Sequence, residues 1–179
     1  MNHYTFEFCT KDKDERSITD FLYSLKDELY LPDRQTAQAI TNLVFEKGGV
    51  IAGYHESHLC AMLGYFRGEP DHGYVNKDIA FLYVAGIAKP YRLTRLFRHG
   101  LVFTVHGLQE ARVREIRLQA EAVNAYTNRL YARFARPLSE DKNLRGIPVI
   151  TYGSSIEEAL AYLERRKRPQ PMLLKKNFS

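Results

Sequence analysis

The stretch IAFLYVAGIAKPYRLTRLF, Ile79 to Phe97, decides the reading of the fold. Ile79 to Ile87 is almost wholly apolar, which predicts a central strand covered on both faces rather than an exposed edge. Pro90 then punctuates the chain, and Leu93, Phe97, Leu101, Val105 and Leu108 recur at helical spacing. Strand, turn and a long helix packing its apolar stripe on the sheet are therefore consecutive.

Working towards the N-terminus, Leu59 to Phe66 and Val50 to His55 read as two strands joined by the polar link Glu56-Ser57-His58. A looser loop follows them, marked by Gly68, Pro70 and Gly73. Before them, Asp33 caps a helix through Ala37, Ile40, Val44 and Phe45 that Gly48-Gly49 ends. Ser17 and Asp20 form an N-capping signature for a helix over Ile18 to Leu29, broken by Leu31-Pro32. Alternating Tyr4, Phe6 and Phe8 predict the first strand.

Working towards the C-terminus, Ile116, Leu118 and Ala120 alternate with Arg117, Gln119 and Glu121 in a short strand, and Asn124 caps a helix through Phe134. After Pro137 a polar connection leads to a strand at Pro148 to Tyr152, and Ser154 or Ser155 caps a final helix through Leu163. Residues 1–166 are expected to form one domain. The basic, proline-containing residues 167–179 read as a tail that is disordered or packs on the domain.

The bulk properties agree with one core, at 179 residues with 45% hydrophobic and 12% aromatic side chains. Basic residues outnumber acidic ones 26 to 21, with the excess after residue 88, a balance that suits an anionic partner such as phosphate. Cys9 and Cys60 lie far apart, which argues against a disulfide framework or zinc site. The six histidines lack a metal-ligand spacing and no serine lies in a GxSxG setting, so no metal is expected and covalent catalysis has little support. With no signal-like start and no apolar run of about 20 residues, the expectation is a soluble, cytoplasmic protein with no membrane partner.

The order strand, two helices, three strands, helix, strand, helix resembles the GCN5-related N-acetyltransferase (GNAT) family over about residues 1–153. The resemblance implies an α/β (α+β) fold in which helices flank a mixed, mostly antiparallel central sheet. A sharper match is NAYTNRLY, where Asn124, Leu130 and Tyr131 stand as residues of the family's fourth helix. Asn124, Thr127 and Tyr131 share one helical face spanning about 10 Å, with Tyr126, Leu130 and Phe134 expected to anchor the other side. In the family the Asn position helps to hold the pantetheine arm of CoA, and the Tyr position supplies a proton to the departing thiolate.

The second match, IAKPYRLTRLF, resembles the family's phosphate-binding turn but departs from it. Arg92 fits the first position, while Arg95 and Phe97 replace glycines that let the backbone approach a pyrophosphate. Arg92, Arg95, His99 and His106 are expected on one helix face, with the arginines making side-chain contacts to phosphate. The resemblance thus implies Tyr131 as the catalytic residue and Ile87, Arg92, Thr94, Arg95, Phe97 and Asn124 as the cofactor-binding set. The co-substrate is acetyl-CoA or another acyl-CoA, and the acceptor is an amine on a small molecule or protein. Nucleic acid is not an expected partner, and a homodimer is left open. Glu56, Asp78 and Tyr83 are candidates for the general base, each with a structural role placed ahead of it. The alternative function is a noncatalytic GNAT-like module that contacts a protein or nucleic acid through its basic helix and tail.

Overall fold

The computed structural model describes residues 3–143 and 146–165. Strands β1 (Tyr4–Phe8), β2 (Gly48–His55), β3 (His58–Arg67), β4 (Ile79–Ile87), β5 (Glu115–Glu121), β6 (Arg136–Lys142) and β7 (Pro148–Ser155) form one sheet. Its order is β1-β2-β3-β4-β5-β7-β6. Among the described residues every neighbouring pair is antiparallel except β4 with β5. The mixed, mostly antiparallel sheet expected from the sequence is present.

Helices α1 (Lys11–Ser24), α2 (Lys26–Leu29) and α3 (Arg34–Lys47) precede β2, α4 (Leu96–Glu110) joins β4 to β5, and α5 (Ala125–Tyr131) and α6 (Ile156–Leu163) follow. One sheet face carries α1 and α3, where Ile18, Leu22, Val44, Val50 and Phe66 are buried together. The other carries α4 and α6, where Leu101, Val105, Leu118, Ile156 and Leu160 are buried. Because side chains alternate between faces along a strand, Val50 and Ile51 enter different cores.

Local chemistry explains several boundaries. The Asp33 side chain accepts from the Thr36 amide at 2.7 Å and caps α3, and the Ser155 hydroxyl accepts from the Glu158 amide at 3.1 Å and caps α6. The chain passes from α3 directly into β2 at Gly48, where a Cβ would lie 1.9 Å from the Tyr65 carbonyl oxygen. Glu56 and Ser57, with φ of 48° and 68°, make the two-residue left-handed turn that suits the twist of a hairpin.

Four expectations are corrected. Helix α1 starts at Lys11, not Ile18, because Asp14 accepts from the Thr10 amide at 2.8 Å and closes the first turn earlier. Helix α5 ends at Tyr131, short of Phe134. The polar connection after Pro137 is part of the edge strand β6, all of whose residues are exposed, so no apolar alternation marks it. Strand β4 is buried at Ile79–Phe81 but exposed at Tyr83 and Ala85, so it is not covered on both faces throughout. The expected boundary at residue 166 and the tail at 167–179 lie outside the described residues.

Candidate functional site

The exposure of β4 has a geometric cause. Strand β5 pairs with β4 only from Ile79–Glu115 to Leu82–Leu118, and the two then diverge. On the other side, β3 remains paired with β4 up to Ile87, through a bulge that shifts the register at Tyr83. The Ala88 amide donates to the Cys60 carbonyl at 2.9 Å, and this sets the phase of the antiparallel ladder. By alternation, the peptide groups of Val84 and Gly86 face β3, whereas those of Ala85 and Ile87 face the gap. There the Ile87 carbonyl accepts from Arg92 Nε at 3.0 Å. The gap thus presents strand-edge peptide groups of the kind an extended amide-bearing chain can pair with.

Helices α4 and α5 each leave the C-terminal end of one strand of this parallel pair, so their N-termini flank the gap at the same end of the sheet. The turn into α4 is held locally. Thr94 Oγ1 donates to the Tyr91 carbonyl at 2.6 Å and accepts from the Leu96 amide at 3.2 Å. Leu93 adopts φ of 62° and is 100% exposed, so it stands before α4 and outside the apolar stripe expected to include it, because the left-handed backbone turns its side chain to solvent. Arg95 is the N-cap residue of α4; its side chain is exposed and makes no ion pair among the described residues. The first-turn amides of α4 have no intrahelical acceptor, so this corner is electropositive.

Arg92 lies outside α4, on extended backbone, which corrects its expected place on the helix face. Its guanidinium pairs with Glu28 of α2 as well as with the Ile87 carbonyl. Leu25, just before α2, packs over Gly86, where a Cβ would meet Leu25 Cδ1 at 2.4 Å. Both contacts fix α2 beside the open half of β4. The rest of the expected basic stripe is divided. His106 pairs with Glu164, and the neighbouring Arg98 donates to the Leu163 carbonyl at 2.8 Å and the Arg165 carbonyl at 3.0 Å, capping α6.

On the α5 side, Asn124 caps the helix by accepting from the Thr127 amide at 3.0 Å. Tyr131 lies edge-on to Tyr152, with ring centres 5.8 Å apart and planes at 77°. Tyr152 is opposite Leu118 in β7–β5, and Leu118 is opposite Leu82 at the last rung before β4 and β5 part. Tyr131 therefore sits at the level where the gap begins. Burial pushes its phenol above the ordinary value, and its hydroxyl has no hydrogen-bond partner among the described residues. Tyr126, expected as an anchor, is instead 66% exposed, because the helix rests on the sheet through Asn128 and Tyr131.

Asn128 is the residue that sequence reasoning missed. It accepts from the Tyr152 hydroxyl at 2.8 Å and donates to the Glu121 and Asn124 carbonyls, each at 2.9 Å. These bonds orient Tyr152 and, through it, Tyr131. Of the candidate bases, Asp78 stands at the start of β4, roughly 23 Å along the strand from Ala85. Glu56 is at the exposed tip of the β2–β3 hairpin. Tyr83 is at the gap, 41% exposed, with its ring stacked on Phe66 at 4.6 Å. Burial, with Asp14 and Glu7 adding to it, pushes the Cys9 thiol up to about 12, so it is held in the protonated form.

Solved structures share this architecture. A GNAT-family acetyltransferase from Staphylococcus aureus matches with a TM-score of 0.64 over 86% of this chain and 99% of its own, at 12% identity. The ribosomal-protein-S18-alanine N-acetyltransferase of Escherichia coli matches with a TM-score of 0.66 over 86% and 94%, at 15% identity. Ard1 from Thermoplasma volcanium matches with a TM-score of 0.66 over 85% and 97%, at 11% identity. No family model and no curated protein sequence matches the chain. The chain thus has the GNAT acetyltransferase fold, and likeness at these identities speaks for the fold alone.

Proposed function

We propose that the protein transfers an acyl group from acetyl-CoA or another acyl-CoA to an amine, on a small molecule or a protein, by direct attack in a ternary complex. The observation that carries this reading is the parting of β4 from β5 after Leu82–Leu118, with Tyr131 at the same level. The open peptide groups of Ala85 and Ile87 suit the amides of a pantetheine arm. The phosphate end is met at the electropositive start of α4, by Arg95 and by Arg92 once it exchanges Glu28 for phosphate; Asn124, Thr94 and Phe97 shape the two helix starts around it. With Leu93, Arg95 and Phe97 at this turn, side-chain cations take on much of what free glycine backbone does elsewhere.

In the reaction the amine nitrogen attacks the thioester carbonyl carbon. The C–N bond forms, the C–S bond breaks, the sulfur leaves with the electron pair, and the nitrogen gives its proton to water or a nearby base. Tyr131 remains a phenol at neutral pH, and its hydroxyl donates to the departing sulfur. A tyrosine raised above about 10 is a weaker acid than a thiol of about 8.5, so this is stabilisation by hydrogen bonding, completed by a proton from solvent. A peptide N–H of the open strand polarises the carbonyl.

The experiment is a comparison of Tyr131→Phe with the natural chain, separating acyl transfer from CoA affinity. Loss of turnover with unchanged affinity supports the reading. Equal turnover removes Tyr131 from it. A protein that binds no CoA species leaves a noncatalytic module as the better description.

A further inference from the structure

The face of the sheet beneath the start of α4 holds an apolar cavity of about 50 Å³ that packing has not closed. Ile51 and Leu101, each 3% exposed, are among its buried walls, while Ala85 is exposed and Phe97 is 37% exposed. A sealed packing void would be lined by buried residues throughout. This one is open at Ala85, the residue whose peptide groups face the β4–β5 gap. Its one polar side chain, Thr104, already donates to the Gly100 carbonyl at 2.8 Å, so the walls ask for no polar partner.

Small residues line the space from several elements, and the glycines among them make room for the Phe6 ring that forms one wall. Gly53 of β2 and Gly100 of α4 both face Phe6, and a Cβ at either would lie 3.1 Å from its ring. Ala61 of β3 and Ala85 of β4 line the same space. An apolar cavity of this size gains nothing from water, which needs polar partners, but accommodates about two methylene-sized groups.

We propose that this cavity takes the acyl chain of the donor, and that the preferred donor carries a short straight aliphatic acyl group of about four carbons rather than acetyl. The inference rests on the proposed reading of the cleft as a thioester site. A chain attached to a thioester carbonyl held at the open peptide edge of β4 enters at Ala85, runs beneath Phe97 and ends among Ile51, Leu101 and Gly100. Each methylene leaves water for apolar contact until the space is filled.

The test is calorimetric titration of the whole protein with free CoA and with acetyl-, butyryl-, hexanoyl- and decanoyl-CoA. Affinity is expected to rise about threefold to fourfold per methylene from acetyl to butyryl and to rise no further at hexanoyl or decanoyl. In Ala61→Val, a β-branched substitution suited to a strand, and in Gly100→Ala, a substitution suited to a helix, the chain-length gain is expected to disappear while the affinity for free CoA stays within about twofold. Retained CoA affinity also shows that each variant is folded. Affinity independent of chain length, with free CoA bound, overturns the acyl-cavity inference and leaves the CoA site standing. No binding of free CoA or any acyl-CoA overturns the CoA site itself, and the inference with it.

Discussion

Tyr131 meets Tyr152 edge to face, 5.8 Å between ring centres, and so places an unpartnered phenol at the rung where β4 and β5 separate. Packing on Tyr152 orients the ring, while the hydroxyl itself holds nothing together. Tyr131→Phe should therefore leave the melting temperature within about a degree, and lower kcat about a hundredfold with little change in CoA affinity. Because burial raises the phenol above its ordinary value, the protonated form persists past about pH 10. Under the proposed acyl transfer, the alkaline limb of the natural chain's kcat profile should lie above that value and be absent in Tyr131→Phe. A variant that loses stability and activity in parallel would assign Tyr131 to packing only.

Asn128 should matter more for stability than any other residue of α5. Removing its side chain leaves the Tyr152 hydroxyl, on a residue 5% exposed, without its acceptor and frees carbonyls at the end of β5. Asn128→Ala is expected to cost about 2 kcal/mol in urea unfolding, and Tyr152→Phe about 1 kcal/mol. The double variant should cost less than the sum, because both changes remove one shared bond. Strict additivity would mean that the bond contributes nothing.

The Arg92–Glu28 pair is half exposed on both sides, so its contribution to stability should be under about 1 kcal/mol. Its effect should appear in binding. Glu28→Gln releases Arg92 from its carboxylate and is expected to tighten CoA binding a few-fold at low salt, whereas Arg92→Ala should weaken it about tenfold. Both differences should shrink as salt is raised. Weaker binding in Glu28→Gln would show that Arg92 does its work while paired.

Leu93 offers a test that is independent of chemistry. Its side chain is wholly exposed and its φ of 62° is one that glycine adopts without steric cost. Leu93→Gly removes about 1–2 kcal/mol of left-handed strain while adding about 0.5–1 kcal/mol of backbone entropy. A small net gain, read as a higher urea midpoint, is expected. A clear loss would show that the exposed leucine is held by contacts of its own.

Much of this was legible in the chain. Asp33 and Ser155 cap helices where a short polar residue before an apolar run says they should, and the apolar run of β4 followed by the stripe of α4 placed the middle of the sheet correctly. Features that join distant parts of the chain were not legible. Glu28 meets Arg92 across 64 positions and Tyr152 meets Asn128 across 24, and no local pattern encodes either bond. The exposure of Tyr83 and Ala85 depends on β5 turning away, a property of two strands together. Strand β6 escaped notice because an edge with every residue exposed has no apolar face to betray it.

The most direct measurement is titration of the whole protein with free CoA, followed calorimetrically and by melting temperature. Saturable binding is expected, with a rise in melting temperature that grows with CoA concentration and a Kd about tenfold weaker in Arg95→Ala. No heat and no shift with free CoA, acetyl-CoA or longer acyl-CoAs would contradict the proposed acyl transfer.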